Sequence, residues 1–184
     1  YRLKNASADS NIATITLDVR PFPAGSVLYL DFDNQVQDKS GFGNHGQLNT
    51  VVSYTTKAYG TFLEFDKQAD QFVRIDHSED LNFAEDTDFS VSAWINTSKS
   101  TSYTSFITNK NWSSGKNTGW VIGTDSRGRL IVNMGDGSNR ADFYSSDNFI
   151  GDNQWHHVVI SCSRSSVMSI YYDGVKIGEK DISA

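Results

Sequence analysis

Apolar and polar residues alternate at every second position over much of this chain. Phe89, Val91, Ala93 and Ile95 alternate with Ser90, Ser92 and Trp94. Successive side chains on a strand leave opposite faces of the sheet. The pattern therefore predicts a strand with one apolar face for a core and one small polar face that carries a single large ring, Trp94. Leu28, Leu30 and Phe32 alternate with Tyr29, Asp31 and Asp33, which predicts a second half-buried strand. Further short strands are predicted over 51–54, 62–65, 72–75, 105–108, 120–124, 130–134, 141–144, 155–162 and 167–172. Turn residues separate them at 37–47, 125–128, 135–139 and Asp173-Gly174. Leu81 and Phe83 read as apolar plugs in the loop before the central strand. No segment carries a convincing helical period and none repeats. Strands at this spacing imply an antiparallel sandwich or barrel.

Residues 1–20 differ from the rest. They read as strand, turn, strand, with Ile12, Thr14, Thr16 and Asp18 alternating with Ala13, Ile15, Leu17 and Val19. A hairpin of this length cannot bury its apolar face alone. The Tyr1 strand followed by Ala13-Thr-Ile-Thr-Leu-Asp-Val19 resembles the closing hairpin of bacterial immunoglobulin-like or cadherin-like repeats. The other reading is an accessory hairpin added to the main domain. Residues 21–25, stiffened by Pro21 and Pro23, form the natural linker. The main domain is then 26–184.

Composition narrows the function. With 38% hydrophobic and 12% aromatic residues, a core of ordinary size can form. A net charge of −6 argues against non-specific binding to nucleic acid, which needs basic patches, and against strongly anionic glycans. Membrane insertion by a helix is not expected, because no apolar run approaches the length of about 20 residues that spanning requires. The lone Cys162 lies in the apolar run 158–162 and reads as a small buried hydrophobe. No signal peptide is visible, but the chain begins at Tyr1 and reads as a piece of a longer protein, so location is not read from that end.

The strand and loop motifs resemble, in order, the laminin-G-like, concanavalin A-like jelly roll, and its bacterial subgroup. They are Leu30-Asp-Phe-Asp33, Asp38-Lys-Ser-Gly-Phe-Gly-Asn-His-Gly46, Phe62-Leu-Glu-Phe-Asp66, Phe72-Val-Arg-Ile75, Phe89-Ser-Val-Ser-Ala-Trp-Ile95, Gly119-Trp120, Gln154-Trp-His-His-Val158 and Tyr171-Tyr-Asp-Gly-Val175. The resemblance implies an all-β, two-sheet antiparallel jelly-roll sandwich over 26–184. It also implies that Trp94, Trp120 and Trp155 are structural, with Trp94 packed under a covering loop. Family members usually continue with about one more hairpin after the Tyr-Asp-Gly turn. The chain ends at Ala184, so the domain is expected to be truncated there or completed elsewhere. The fold serves many roles and does not name one.

Two places could carry chemistry. Asp31 and Asp33 leave one strand face two residues apart, and Asp38 and Asn44 follow in a glycine-rich loop. Oxygen ligands in this pattern are what calcium requires, and related jelly rolls carry a structural calcium near this strand. The competing reading is turn chemistry, with Asp38 capping the turn at Ser40-Gly41 and Asp33 and Asn44 bonding local backbone. The second place is the polar loop 109–118. Trp112 sits there beside Asn109 and Lys110, with Tyr103 and Tyr144 near other loops. An indole in such a loop either stacks on a sugar ring while Asn and Lys bond its hydroxyls, or folds back as a lid.

No catalytic residue is assigned. Glycosidases need paired carboxylates about 5–10 Å apart, and the glycanases of this fold set them at alternate positions of one strand. Glu64 and Asp66 share a strand but lack a third acid. His156 and His157 face opposite ways and cannot jointly bind a metal. The reading is a non-catalytic, secreted or cell-surface module of a larger bacterial protein, with neighbouring domains in the same polypeptide. Its partner is a glycan or another cell-surface ligand. The alternatives are a structural or adhesive spacer, which predicts a buried Trp112 and no cleft, and part of a glycan-active enzyme.

Overall fold

A computed structural model describes residues 23–58, 60–66, 70–83, 86–98, 102–146 and 150–183. The hairpin expected over 1–20 and the first residues of the linker lie outside these. The chain divides into two compact units, 1–82 and 83–184. The boundary falls inside the span expected as one domain.

Among its described residues the first unit contains two antiparallel pairs. Strand β1 (Gly46–Leu48) pairs with β4 (Val73–Ile75), and β2 (Ser53–Lys57) with β3 (Gly60–Glu64). A 3-10 turn spans Glu79–Leu81. The strand expected over 28–32 is not part of any sheet among the described residues. Phe32 and Asn34 both take left-handed backbone, with φ of 56° and 57°, which bends the chain out of strand geometry. The backbone groups of Tyr29 serve the following loop instead. Its N–H donates to Asp38 Oδ1 and its carbonyl accepts from the N–H of Lys39, both at 2.9 Å.

The second unit is a sandwich of two four-stranded antiparallel sheets. One has the order β12 (Val175–Asp181), β11 (Val167–Tyr172), β10 (Asp152–Cys162), β5 (Phe89–Ser98). The other runs β6 (Thr104–Thr108), β7 (Gly119–Thr124), β8 (Leu130–Gly135), β9 (Arg140–Tyr144). Seven of these eight strands fall where the sequence predicts strands, and β12 is the exception. Strand β12 was missed because Val175-Lys-Ile-Gly-Glu-Lys-Asp carries little apolar residue to mark a face; its pairing to β11 supplies the order. The turn between them is well signalled, since Asp173 and Gly174 both take positive φ, 48° and 79°, as a two-residue hairpin with matched twist demands.

The core lies between these sheets. Phe89, Ile122, Leu130, Val132, Val158, Ile160, Met168 and Ile170 are buried together, and Val91 and Ile95 pack against them. This is the apolar face read from the alternation of β5. Each fully buried Leu, Ile or Met stabilises by about 1.5–3 kcal/mol over exposure. Cys162 belongs to this core, and burial pushes its thiol up to about 11, so it is unreactive at neutral pH. Phe83, one of the two expected plugs, stacks on Phe89 with ring centroids 4.6 Å apart.

On β10 the polar His156 shares the inward face with Val158 and Ile160. His156 is buried with both ring nitrogens in use: Nε2 meets Asp152 Oδ1 at 3.0 Å and Nδ1 meets Asp173 Oδ2 at 2.9 Å. Tyr172 stacks on the ring and its hydroxyl also bonds Nδ1. Burial disfavours the charged ring, but the bonds to Asp173 and Asp152 outweigh it, and the pKa rises above its ordinary value. The sign follows. The stability this cation contributes is fully present below the ordinary histidine pKa, and it is lost as pH rises through the raised value. Urea unfolding of His156→Gln against the unaltered chain checks this: the stability gap is expected to be wider at pH 5.5 than at pH 8.5, and a gap that grows with pH contradicts it.

Candidate functional site

Alternation on β9 sets the site. Ala141 and Phe143 turn toward the core side, so Arg140, Asp142 and Tyr144 share the outer face. Across the sheet the register aligns Thr108, Val121, Asn133 and Asp142 in one row. The loop after β6 folds back over this row. Asn117 Nδ2 donates to Asn111 O at 2.8 Å, and Gly137 N donates to Lys116 O at 2.8 Å, which staples the loop to the neighbouring turn. Contact is close enough to need glycine. A Cβ on Gly115 would lie 2.8 Å from Arg140 Nη1 and 3.2 Å from Asn133 Nδ2.

The loop and the sheet together form a cleft of about 280 Å³ lined by Tyr103, Trp112, Gly115, Arg140, Asp142 and Tyr144. Trp112 is half-buried and meets Tyr103 edge-on, with ring centroids 5.9 Å apart. Tyr144 is held from behind by the Arg129 guanidinium, 5.1 Å from its ring centroid. Arg129 is in turn fixed by Asp125, only 2% exposed, through Nε at 2.8 Å and Nη2 at 2.7 Å. The Arg129 and backbone N–H bonds hold the Asp125 carboxyl below the usual range despite burial. Breaking such a buried pair on one side costs about 3–5 kcal/mol, so the ring has a stiff backing. Burial, then the Asp142 charge and a hydrogen bond with Tyr103, raise the Tyr144 pKa, and its phenol stays protonated at neutral pH.

The predicted residues divide between wall and scaffold. Tyr103 and Trp112 line the cleft. Lys110 does not: its ammonium reaches beneath the loop to Gly115 O at 3.0 Å and Asn133 Oδ1 at 2.6 Å. Asn109 accepts from the Trp120 N–H at 2.7 Å and anchors the start of β7. Arg140 and Asp142 were missed. The signal was present as the alternation Arg140-x-Asp142-x-Tyr144, but nothing in the sequence brings that strand to Trp112. Trp94, expected under a covering loop, is instead 65% exposed and stacks on His157 at 5.0 Å. No loop among the described residues hides it, so that expectation is corrected. His157 bonds across the sheet to Ser92 at 2.8 Å.

The four residues considered for calcium are engaged by protein donors. Asp38 accepts from the N–H groups of Tyr29 at 2.9 Å, Ser40 at 2.9 Å and Asn44 at 3.0 Å, and from the Ser40 hydroxyl at 2.7 Å. These bonds hold its carboxyl below the usual range against the opposing effect of burial. Asp31 pairs with the Lys39 ammonium. Asp33 accepts from Asn34, and Asn44 Nδ2 donates to Val27 O at 2.8 Å. Four donors meet the Asp38 carboxylate and the Lys39 ammonium pairs with Asp31, so these two acids are satisfied by protein groups. No cluster of three or more His, Cys, Asp or Glu suited to a metal occurs among the described residues.

A laminin-G-like family model, described as the concanavalin A-like lectin/glucanases superfamily, matches residues 67–184. The chain belongs to this superfamily. It is 26% identical over 159 residues to botulinum neurotoxin type X of Clostridium botulinum, a match that covers 83% of the chain and 12% of the toxin. In structure it is similar to the binding domain of Paraclostridial Mosquitocidal Protein 1, with a TM-score of 0.71, 22% identity, and coverage of 81% of this chain and 38% of that one. It is also similar to the binding domain of botulinum neurotoxin DC, solved with rat synaptotagmin II, at TM-score 0.64 and 22% identity, covering 83% and 38%. A structure of botulinum neurotoxin type C, whose cell entry depends on two ganglioside molecules, matches at TM-score 0.65 and 21% identity, covering 84% and 38%. The chain thus spans well under half of each relative. The all-β jelly-roll class is that of the superfamily. No helix among the described residues is long and apolar enough to cross a membrane.

The Asp38 loop yields a direct test. Asp38→Ala removes four hydrogen bonds from a buried carboxylate, and a loss of about 2–4 kcal/mol is expected in urea unfolding. The melting temperature of the unaltered chain is expected to be the same in millimolar calcium and in EDTA. A rise of several degrees with calcium, abolished by Asp38→Ala, would restore the metal reading.

Proposed function

We propose that this chain is a non-catalytic, extracellular binding module of a larger bacterial protein, and that it takes carbohydrate in the cleft of Tyr103, Trp112 and Tyr144. One observation carries the reading: three aromatic rings from three separate segments converge on a charged Arg140–Asp142 pair. An aromatic face stacks on the C–H face of a sugar, and the charged pair and phenols bond its hydroxyls. The braced loop and the Asp125–Arg129 backing hold the rings before a ligand arrives, so less ordering entropy is lost on binding.

Membership in a superfamily of lectins and glucanases supports the reading, as does similarity to toxin binding domains, one of them of a toxin that engages gangliosides. A glucanase role draws no support from the acids of the first unit. Glu64 bonds the Thr55 hydroxyl on the neighbouring strand. A pure spacer would need a buried Trp112 and no cleft, and the half-buried indole in a cleft speaks for binding. The ligand is presented at a cell surface, and the module works beside neighbouring domains of the same polypeptide.

Binding of the chain to a printed oligosaccharide array tests this. Trp112→Ala and Tyr144→Ala are each expected to weaken binding at least about tenfold, the scale of one stacked ring. EDTA is expected to change nothing. Silence across the array, or signals that both substitutions leave intact, would rule the cleft out as a glycan site.

A further inference from the structure

Lys110 is a partly buried ammonium beneath a cleft that it does not line. Its two bonds go to Gly115 O and to Asn133 Oδ1. Asn133 is itself 3% exposed, and its Nδ2 donates to Asp142 Oδ1 at 2.8 Å. Arg140 Nε reaches the other carboxylate oxygen, Oδ2, at 2.9 Å. The order of these atoms has a consequence. An ammonium can only donate, so Lys110 compels the Asn133 amide to turn its oxygen inward and its NH₂ toward Asp142. The opposite amide orientation would aim an oxygen at the carboxylate and repel it. A hydrogen bond from a charged donor is among the stronger kinds, and the low exposure of Asn133 strengthens it further.

Asp142 is thereby held by one donor on each oxygen. A carboxylate offers about four acceptor positions, so each oxygen keeps capacity for another donor. Asp142 lines the cleft, next to the aromatic rings. A rigid carboxylate with one open acceptor on each oxygen matches two hydroxyls on adjacent carbons. It disfavours a ligand whose own group is anionic.

We infer that Asp142 is the specificity-determining residue of the cleft, accepting the two hydroxyls of a vicinal diol on a neutral sugar, and that Lys110 is the positioning residue that fixes it through Asn133. The inference rests on the carbohydrate reading above and goes beyond it, naming the ligand chemistry and a residue that never touches the ligand. Burial lowers the Lys110 pKa, in keeping with its place under the loop.

The test uses the same array, printed with neutral and acidic oligosaccharides, and the variants Lys110→Met, Asp142→Ala and the double variant. The expected binders are neutral sugars with an unsubstituted diol. Asp142→Ala and Lys110→Met are each expected to weaken them about tenfold or more, as loss of a charge-assisted bond does. The double variant is expected to be no weaker than Asp142→Ala alone, because Lys110 acts only through that carboxylate. A Lys110 that merely props the loop would weaken binding further in the Asp142→Ala background, and that result overturns the positioning role. Array binding that depends on Trp112 but ignores both Lys110→Met and Asp142→Ala overturns the inference and leaves the carbohydrate reading standing. Binders that are all carboxylated or sulfated, and that gain affinity in Asp142→Ala, overturn the diol. If the unaltered chain binds nothing on the array, the carbohydrate reading and the diol fall together. The positioning is then read without ligand, from the Asn133 side-chain amide in NMR. Its NH₂ protons are expected to shift and exchange faster in Lys110→Met, and an unchanged signal removes Lys110 from the role.

Discussion

Ile122, Leu130, Val132, Ile160, Met168 and Ile170 close an apolar seam between two four-stranded sheets, and that seam decides which side chains face outward. Because the strand period is two, committing Phe143 to the seam places Arg140, Asp142 and Tyr144 on the opposite side together. Shifting β9 by one residue would bury Asp142 and expose Phe143. The binding surface is in this sense the complement of the core. Gly178 shows how tight the fit is, since a Cβ there would meet the Phe143 ring at 2.3 Å.

On the outer face, the loop 109–118 turns a flat sheet into a cleft. It has almost no apolar residue of its own apart from Trp112, and it is held by polar bonds and by glycine at the close approaches. Lys110 is the central member, because a buried ammonium must find acceptors and finds them in Gly115 and Asn133. The bond to Asn133 carries on to Asp142, whose Oδ1 accepts from the Asn133 amide.

A single device recurs in both units: a buried or half-buried charge braced by several short polar bonds. Asp38 gathers four donors in the first unit, Asp125 gathers Arg129 and two backbone amides, and His156 lies between two carboxylates. Each braces a loop or turn that carries no apolar plug. In a chain rich in strands and poor in helix, these clusters do for the connections what the seam does for the sheets.

Most of the sandwich was legible in the alternation itself. Phe89 to Ile95, Trp155 to Cys162 and Val167 to Tyr172 announced a buried face, because apolar residues two apart share one side of a strand. Strand β12 left little trace, since its place comes from hydrogen bonds to β11 and not from its own side chains. The strand read at 28–32 had the right alternation and still failed, because left-handed backbone at Phe32 and Asn34 and the claims of the Asp38 loop took its backbone groups. Of the site, Trp112 and Tyr103 were legible as large rings stranded in polar loops. Arg140 and Asp142 were not, and Lys110 was assigned to the ligand when its partners lay beneath. By itself the sequence determined the antiparallel class and the inward faces, both of which follow from local periodicity. Only the tertiary structure decided which charges meet those rings and that Trp94 stays exposed, because sheet order and loop packing set distances between residues far apart in the chain, and no local pattern encodes them.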